Sequence, residues 1–295
     1  MKVLKKLSII MLAVVIVAIS LFFLSSKDIY LIFTSDIHSF TEETNNYSSI
    51  KQIKKNYQKE GYAALIDGGD FAQGNEPGNS SKGLDIIDLM NYAGYDYVTI
   101  GNHDFDFGLD SVVKMVEDAD FSFIASNLEY EGKETNKLKG TVPYVIKRYG
   151  LKKVAYIGIL QPDIIKEGTL SKEALGNDFD DYNIFCDIND INEEGVALIN
   201  RIQEVVNQVK SKADYVVAIS HLGIGTDNIL TSDELPKFVS GIDIILNGHS
   251  HNPLNTVITD KDSNDVVIIS VNKAFIDYGV IKISKNGQIE AELFN

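Results

Sequence analysis

Apolar positions along the chain follow three rhythms. From Asp28 onward, short runs rich in β-branched and aromatic residues, at 30–34, 62–66, 97–100, 215–220 and 242–246, read as buried strands. Between them the spacing predicts helices over 48–60, 82–93, 109–118 and 193–211. In the last of these, Leu198, Ile202, Val205 and Val209 recur at helical spacing behind Asn192, a residue suited to capping. Gly94 stands where a helix should stop. Past Leu254 the pattern turns to strands at 266–271 and 280–284, with Asn286-Gly287 as a hairpin turn and no helix. No repeat, low-complexity block or Pro-rich linker interrupts residues 27–295, so the alternation predicts one compact α/β domain there.

Residues 1–26 carry the third rhythm. Lys2, Lys5 and Lys6 precede an apolar run over 7–24, and Ser25-Ser26-Lys27-Asp28 follow. A positive flank, a hydrophobic stretch and small residues describe a secretory signal peptide or an uncleaved membrane anchor. A run of that length lies at the lower margin for spanning a bilayer. Lysines on its N-terminal side place the rest of the chain outside the cytoplasm. The expected location is extracytoplasmic, either tethered to the membrane or secreted.

Composition narrows the function classes. With 44% hydrophobic and 23% charged residues, the chain is neither disordered nor wholly membrane-embedded. The formal charge is −15, and setting aside the three lysines of residues 1–26, where no acid occurs, leaves −18. No basic stripe is present to meet phosphates, so a nucleic-acid polymer is not the expected partner. A small anionic substrate would be repelled everywhere except at a local cation, which a metal would supply. Cys186 is the only cysteine, which excludes an intrachain disulfide and a four-thiolate zinc site.

All five histidines lie in short motifs with Asp, Asn, Ser or Gly: Ser35-Asp36-Ile37-His38, Gly101-Asn102-His103-Asp104, His221-Leu222-Gly223 and Gly248-His249-Ser250-His251. Each motif follows a predicted strand, and the remaining strand runs into Asp67-Gly68-Gly69-Asp70. Ligands in open α/β sheets bind beyond the carboxyl ends of strands, so five strands deliver polar residues to one edge. Asp36 and His38 stand two apart and share a side if the strand continues; His249 and His251 have the same spacing. Two glycines before Asp70 allow a tight turn, and its carboxylate can bridge two cations. Taken alone, Asp70 also reads as an Asx-turn residue and His221 as a core histidine. Taken together, Asp36, His38, Asp70, Asn102, His221, His249 and His251 are more donors than one tetrahedral zinc needs. They suit two divalent metal ions ~3.5–4 Å apart. Mixed carboxylate, amide and imidazole donors admit zinc, manganese or iron. His103 and Asp106 are surplus to coordination. A carboxylate that fixes an imidazole makes a general acid, whereas the alternative for Asp106 is to cap the helix near Leu109.

In this order the blocks resemble the calcineurin-like metallophosphoesterase superfamily. The stretches Gly83-Leu84-Asp85-Ile86-Ile87-Asp88-Leu89-Met90-Asn91 and Gly101-Asn102-His103-Asp104-Phe105-Asp106-Phe107-Gly108 look like the catalytic domain of its 5′-nucleotidase branch, as do Gly69-Asp70-Phe71-Ala72-Gln73-Gly74 and Ser126-Asn127-Leu128. The resemblance spans roughly 28–284. It implies a four-layer α-β-β-α sandwich. It assigns Asp36, His38, Asp70 and His251 to one metal, Asp70, Asn102, His221 and His249 to the other, and His103 with Asp106 to the catalytic dyad. Three features depart from the branch. Asp104 stands where Glu is usual, and Asn272-Lys273-Ala274-Phe275 replaces a glycine-rich turn. The sequence ends at Asn295, where the branch adds a domain that stacks the nucleobase. The implied function is dimetal-dependent phosphoester hydrolysis, with a nucleotide-type monoester as the leading substrate. A phosphodiester such as a cyclic nucleotide is the alternative. A catalytically silent, membrane-tethered binding protein would be expected to lack ligands, and none is missing.

Overall fold

Alternation along the strands divides their side chains between separate cores, and that division sets the layers. In the computed structural model, residues 2–25, 27–43, 45–130, 138–161, 182–184, 195–225 and 230–295 are described. The first half runs α1 (Lys2–Ser25), β1 (Ile29–Thr34), α2 (Tyr47–Glu60), β2 (Tyr62–Asp67), α3 (Gly78–Ser81), α4 (Leu84–Ala93), β3 (Tyr97–Val98), α5 (Leu109–Asp118), β4 (Ser122–Phe123) and β5 (Leu128–Tyr130). The second runs β6 (Tyr144–Tyr149), β7 (Lys152–Ile159), β8 (Tyr182–Ile184), α6 (Gly195–Lys210), β9 (Tyr215–Ser220), β10 (Ile244–Asn247), β11 (Leu254–Thr259), β12 (Asp265–Ser270), β13 (Tyr278–Ile283) and β14 (Ile289–Phe294).

Two six-stranded mixed sheets result, ordered β14-β13-β1-β2-β3-β4 and β11-β12-β10-β9-β7-β6, with β5 and β8 paired apart. Both have a parallel centre, β1 to β4 in the first and β12, β10, β9 and β7 in the second. Ile29, Leu31 and Phe33 of β1 meet Tyr156, Val217, Ile219, Ile244 and Leu246 of the other sheet. Tyr30 and Ile32 point the opposite way, toward Ile50 of α2, Met90 of α4 and Met115 of α5. On the far side of the second sheet, Ala155, Ile157 and Ala218 lie beneath Leu198, Ile202, Val205 and Val209 of α6. Three cores thus separate four layers, helix-sheet-sheet-helix, as the resemblance implies. Strands buried on both faces explain the near-continuous apolar runs, and each fully buried aliphatic side chain stabilises the fold by roughly 1.5–3 kcal/mol.

Where an expected element departs from its predicted range, it does so at a boundary. Strand β3 ends at Val98 because its parallel partner β2 ends at Asp67. The helix expected over 82–93 begins at Leu84, since Lys82 (φ 55°) and Gly83 (φ 87°) turn left-handed and separate it from α3. Asn46 caps α2, its side chain accepting from Ser48 and Ser49 N–H. Asn192, the expected cap of α6, lies outside the described residues. Strands β4 to β8 and β11 were not expected, and β14 was implied only by the Asn286-Gly287 hairpin turn.

Helix α1 buries none of its described side chains; Leu7, Ile9, Ile10 and Met11 are 60–70% exposed. Those side chains cover residues 5–20, about 24 Å of helix against a hydrocarbon core of ~30 Å. Among the described residues no helix is long and apolar enough to cross a membrane.

Candidate metal centre

The pairing of β1 with β2 outlasts both strands. Asp36 N–H donates to the Gly69 carbonyl at 2.9 Å, His38 to Asp70 at 2.9 Å, and Ser39 to Phe71 at 3.0 Å. Along this extension the backbone turns left-handed, with φ of 54° at Asp36, 50° at His38 and 58° at Asp70. His249 (76°) and His251 (52°) do the same beyond β10. Five of the seven expected ligands therefore hold a conformation that non-glycine residues seldom adopt, and such strain persists only where the surroundings enforce it. This corrects the expectation from strand alternation. Asp36 and His38 come together through left-handed turns, while His249 and His251, at the same spacing, go to different clusters.

Asp36, His38 and His251 form one cluster and Asp70, His221 and His249 the other, the ligand atoms of each lying within 4.8 Å of one another. In the first, His251 Nε2 is 3.2 Å from Asp36 Oδ1 and 3.2 Å from His38 Nε2. In the second, His221 Nε2 is 3.1 Å from Asp70 Oδ2, and Asn102 Oδ1 is 3.0 Å from His249 Nδ1. The clusters adjoin, since His221 Nε2 is also 4.0 Å from Asp36 Oδ1.

His221 shows that the donors fit a cation. It is fully buried, and its Nδ1 lies 2.6 Å from the Gly68 carbonyl, which places a proton on Nδ1 and frees Nε2 to ligate. That Nε2 lies 3.1 Å from Asp70 Oδ2, and a proton there pairs the two buried side chains. A cation held jointly by Nε2 and Asp70 would take the place of that proton. Asp36 is oriented in turn by Ser35 Oγ, which donates at 2.6 Å, and by His249 N–H at 2.9 Å.

Electrostatics separate the histidines. Burial opposes charge on His221, but the Asp70 and Asp36 carboxylates push its pKa up to about 10. Burial also raises Asp70, yet His221 beside it holds that carboxyl below its usual range. Burial and then the His221 charge bring His249 down to about 4, and burial lowers His38 as well. Beneath the site, burial lifts Asp67 well above the carboxylate range, and burial with Asp70 lifts Asp104 to about 7. His103 moves upward, chiefly through its hydrogen bond to Asp106 and against burial.

That bond joins His103 Nδ1 to Asp106 Oδ2 at 2.9 Å, with the two side chains 29% and 22% exposed. The His103 ring packs edge-on against His38, centroids 5.6 Å apart. Gly108 occupies the cap of α5, so Asp106 orients His103 and does not cap that helix. All nine residues expected from the sequence thus gather in one place, beyond the carboxyl ends of β1, β2 and β3 of the first sheet and of β9 and β10 of the second. Sequence reasoning missed the support supplied by Ser35 and by Asp104, whose positions within the histidine motifs were the available signal.

Two packed mixed sheets carrying adjoining Asp-His clusters beyond their parallel strands define an α/β class with two candidate cation sites. The chain belongs to the calcineurin-like phosphoesterase family, whose model matches residues 29–253. It is 28% identical to the trifunctional nucleotide phosphoesterase protein YfkN of Bacillus subtilis, over 74% of this chain and 16% of that one. It is 24% identical to the 5′-nucleotidase of Bos taurus (78% and 39%). To the 2′,3′-cyclic-nucleotide 2′-phosphodiesterase/3′-nucleotidase of Haemophilus influenzae it is 26% identical (77% and 36%). The chain therefore spans well under half the length of these curated relatives. In fold it matches the 5′-nucleotidase precursor of Thermus thermophilus at a TM-score of 0.74 and 20% identity, over 90% of this chain and 54% of that one. It matches the YfkN phosphoesterase structure at 0.66 and 23%, over 90% of both chains.

Proposed function

We propose that this chain hydrolyses phosphoesters, nucleotide monophosphates foremost, with Asp36, His38, Asp70 and His251 holding one divalent metal ion and Asp70, Asn102, His221 and His249 a second. The observation that carries the reading is the pair of adjoining clusters with the partly buried His103–Asp106 pair beside them. Zinc, manganese and iron all suit the donors. Such cations supply Lewis acidity toward phosphoryl oxygens and a source of hydroxide at neutral pH. The chain's own residues do the rest. Asp70 and Asp36 set the negative field that retains the cations. Asp106 keeps a proton on His103 Nδ1, so the charged ring presents Nε2–H to the leaving-group oxygen and protonates it as the bond to phosphorus breaks.

The test is turnover of AMP, a 2′,3′-cyclic nucleotide and bis(p-nitrophenyl) phosphate by the full chain in detergent, with each of several divalent metals. Fastest turnover of AMP supports the nucleotidase reading. Fastest turnover of the cyclic or bis ester transfers it to phosphodiesters, which the likeness to the Haemophilus phosphodiesterase favours. A metal-loaded chain inactive on all three would support the silent binding protein and sink the proposal.

The exposed apolar face of α1 behind Lys2, Lys5 and Lys6 supports attachment to a membrane with the domain outside the cytoplasm. Cleavage of the domain by protease added to intact spheroplasts tests that placement.

A further inference from the structure

Between the Asp70 and Asn102 turns lies a carboxylate that the proposed chemistry does not use. Asp104 is fully buried, and its oxygens accept four backbone N–H groups. Oδ2 accepts from Asp70 at 2.9 Å and Gly101 at 2.8 Å, and Oδ1 from Phe71 and Ala72, both at 3.0 Å. Four main-chain donors from two loops on one side chain make a clamp, since each loop is tied to the other through a single group.

The space around the clamp admits little else. A Cβ on Gly101 would lie 2.1 Å from Asp70 Oδ1, and one on Gly69, itself at φ +95°, would lie 2.5 Å from Gly101 N. Asp70 is left-handed, and its Oδ1 accepts His103 N–H at 2.8 Å. The carboxylate shared by the proposed metals and the backbone of the proposed acid are therefore registered by the same contact.

We infer that Asp104 is a positioning residue that holds Asp70 in its left-handed conformation between the two clusters and, through Gly101, fixes Asn102 and His103 beside it. The inference rests on the metal-binding role proposed for Asp70. An amide cannot substitute for the carboxylate, because in either orientation its nitrogen faces two N–H donors.

The test compares the full chain in detergent with Asp104→Asn and with Thr99→Val. The latter deletes a buried hydrogen bond outside the clamp, from Thr99 Oγ1 to the Ile124 carbonyl. Each protein is stripped of metal and titrated with Mn²⁺ at a temperature where circular dichroism shows it folded. Thr99→Val should keep the parent's affinities. Asp104→Asn should bind at least one cation 10- to 100-fold more weakly, the range typical for residues that orient metal ligands, and should lose kcat with little change in KM. Should Asp104→Asn not fold, Asp104→Ser, which keeps an acceptor and sets no N–H against the donors, is titrated in its place. Parent-like affinities in the folded Asp104 variant, or losses no larger than those of Thr99→Val, would overturn the inference. A parent that binds Mn²⁺ but hydrolyses nothing would fail the proposed function and leave this titration decisive. A parent that binds none would end both.

Discussion

In the cluster of Asp70, His221 and His249, the first two residues are 1% and 0% exposed, and loop backbone orients both. In the cluster of Asp36, His38 and His251, His251 leaves 32% of its side chain open, and His38 and His251 face each other across 3.2 Å. Asp70 and His221 are therefore positioned by the fold, as is Asp36, which Ser35 and His249 N–H hold, whereas the half-exposed His251 is the donor a cation would have to order. Preorganised sites lose less freedom on binding. Metal titration should accordingly show two steps, with the inner cluster filling first and emptying last under a chelator.

The largest effect should come from the inner cluster. Asp70→Asn keeps the side chain's size but removes the carboxylate that faces His221. It should cost the inner cation and lower kcat on the order of 10³-fold or more, since loss of one preorganised donor already costs ~10²–10³-fold. Metal content and turnover on the same sample check this, and parent-like turnover would remove Asp70 from the site. His103→Ala probes the boundary between binding and chemistry. Turnover should fall ~10²–10³-fold with both cations retained; lost cations would make His103 a ligand instead.

The contrast between the clusters was only partly legible in the sequence. The apolar runs marked the parallel strands, because burial on both faces leaves little room for polar residues. That placed the nine polar site residues beyond strand ends, but did not show the division of those strands between two packed sheets. The division of the residues into clusters was not legible, since it depends on left-handed turns at Asp36, His38, Asp70, His249 and His251 that no spacing rule anticipates. Asp104 was noticed as a departure from a family pattern, but its four backbone partners are a tertiary fact. Strand β6 escaped because Lys147 and Arg148 interrupt its apolar run on a solvent-facing edge.

A smaller effect is expected at the outer cluster. His251→Ala should weaken the outer cation about 10- to 100-fold, a loss smaller than that at Asp70 because part of this imidazole already faces water. Raising the metal concentration should restore much of the activity. Failure of excess cation to restore it would mean that His251 does more than ligate.

The smallest effect concerns the acidic floor of the inner cluster and should appear in stability. Asp67 is fully buried, accepting Thr34 Oγ1 at 2.6 Å and Gly69 N–H at 2.9 Å. Burial nonetheless raises its pKa well above the usual value, with Asp104 and Asp36 adding to the rise. A carboxyl raised in the folded state stabilises the fold fully below its unfolded pKa of ~3.9. That contribution is lost as pH climbs through the raised value. In the metal-free chain, Asp67→Asn should therefore match the parent near pH 4 and melt higher at pH 7–8, by ~2–4 °C for each kcal/mol recovered. Loading both clusters should narrow the gap, because nearby positive charge favours the ionised parent carboxylate. A variant that melts lower than the metal-free parent at pH 7.5 would show that the bonds from Thr34 and Gly69 outweigh the buried charge, and that the floor is built to hold an ionised carboxylate even without cations.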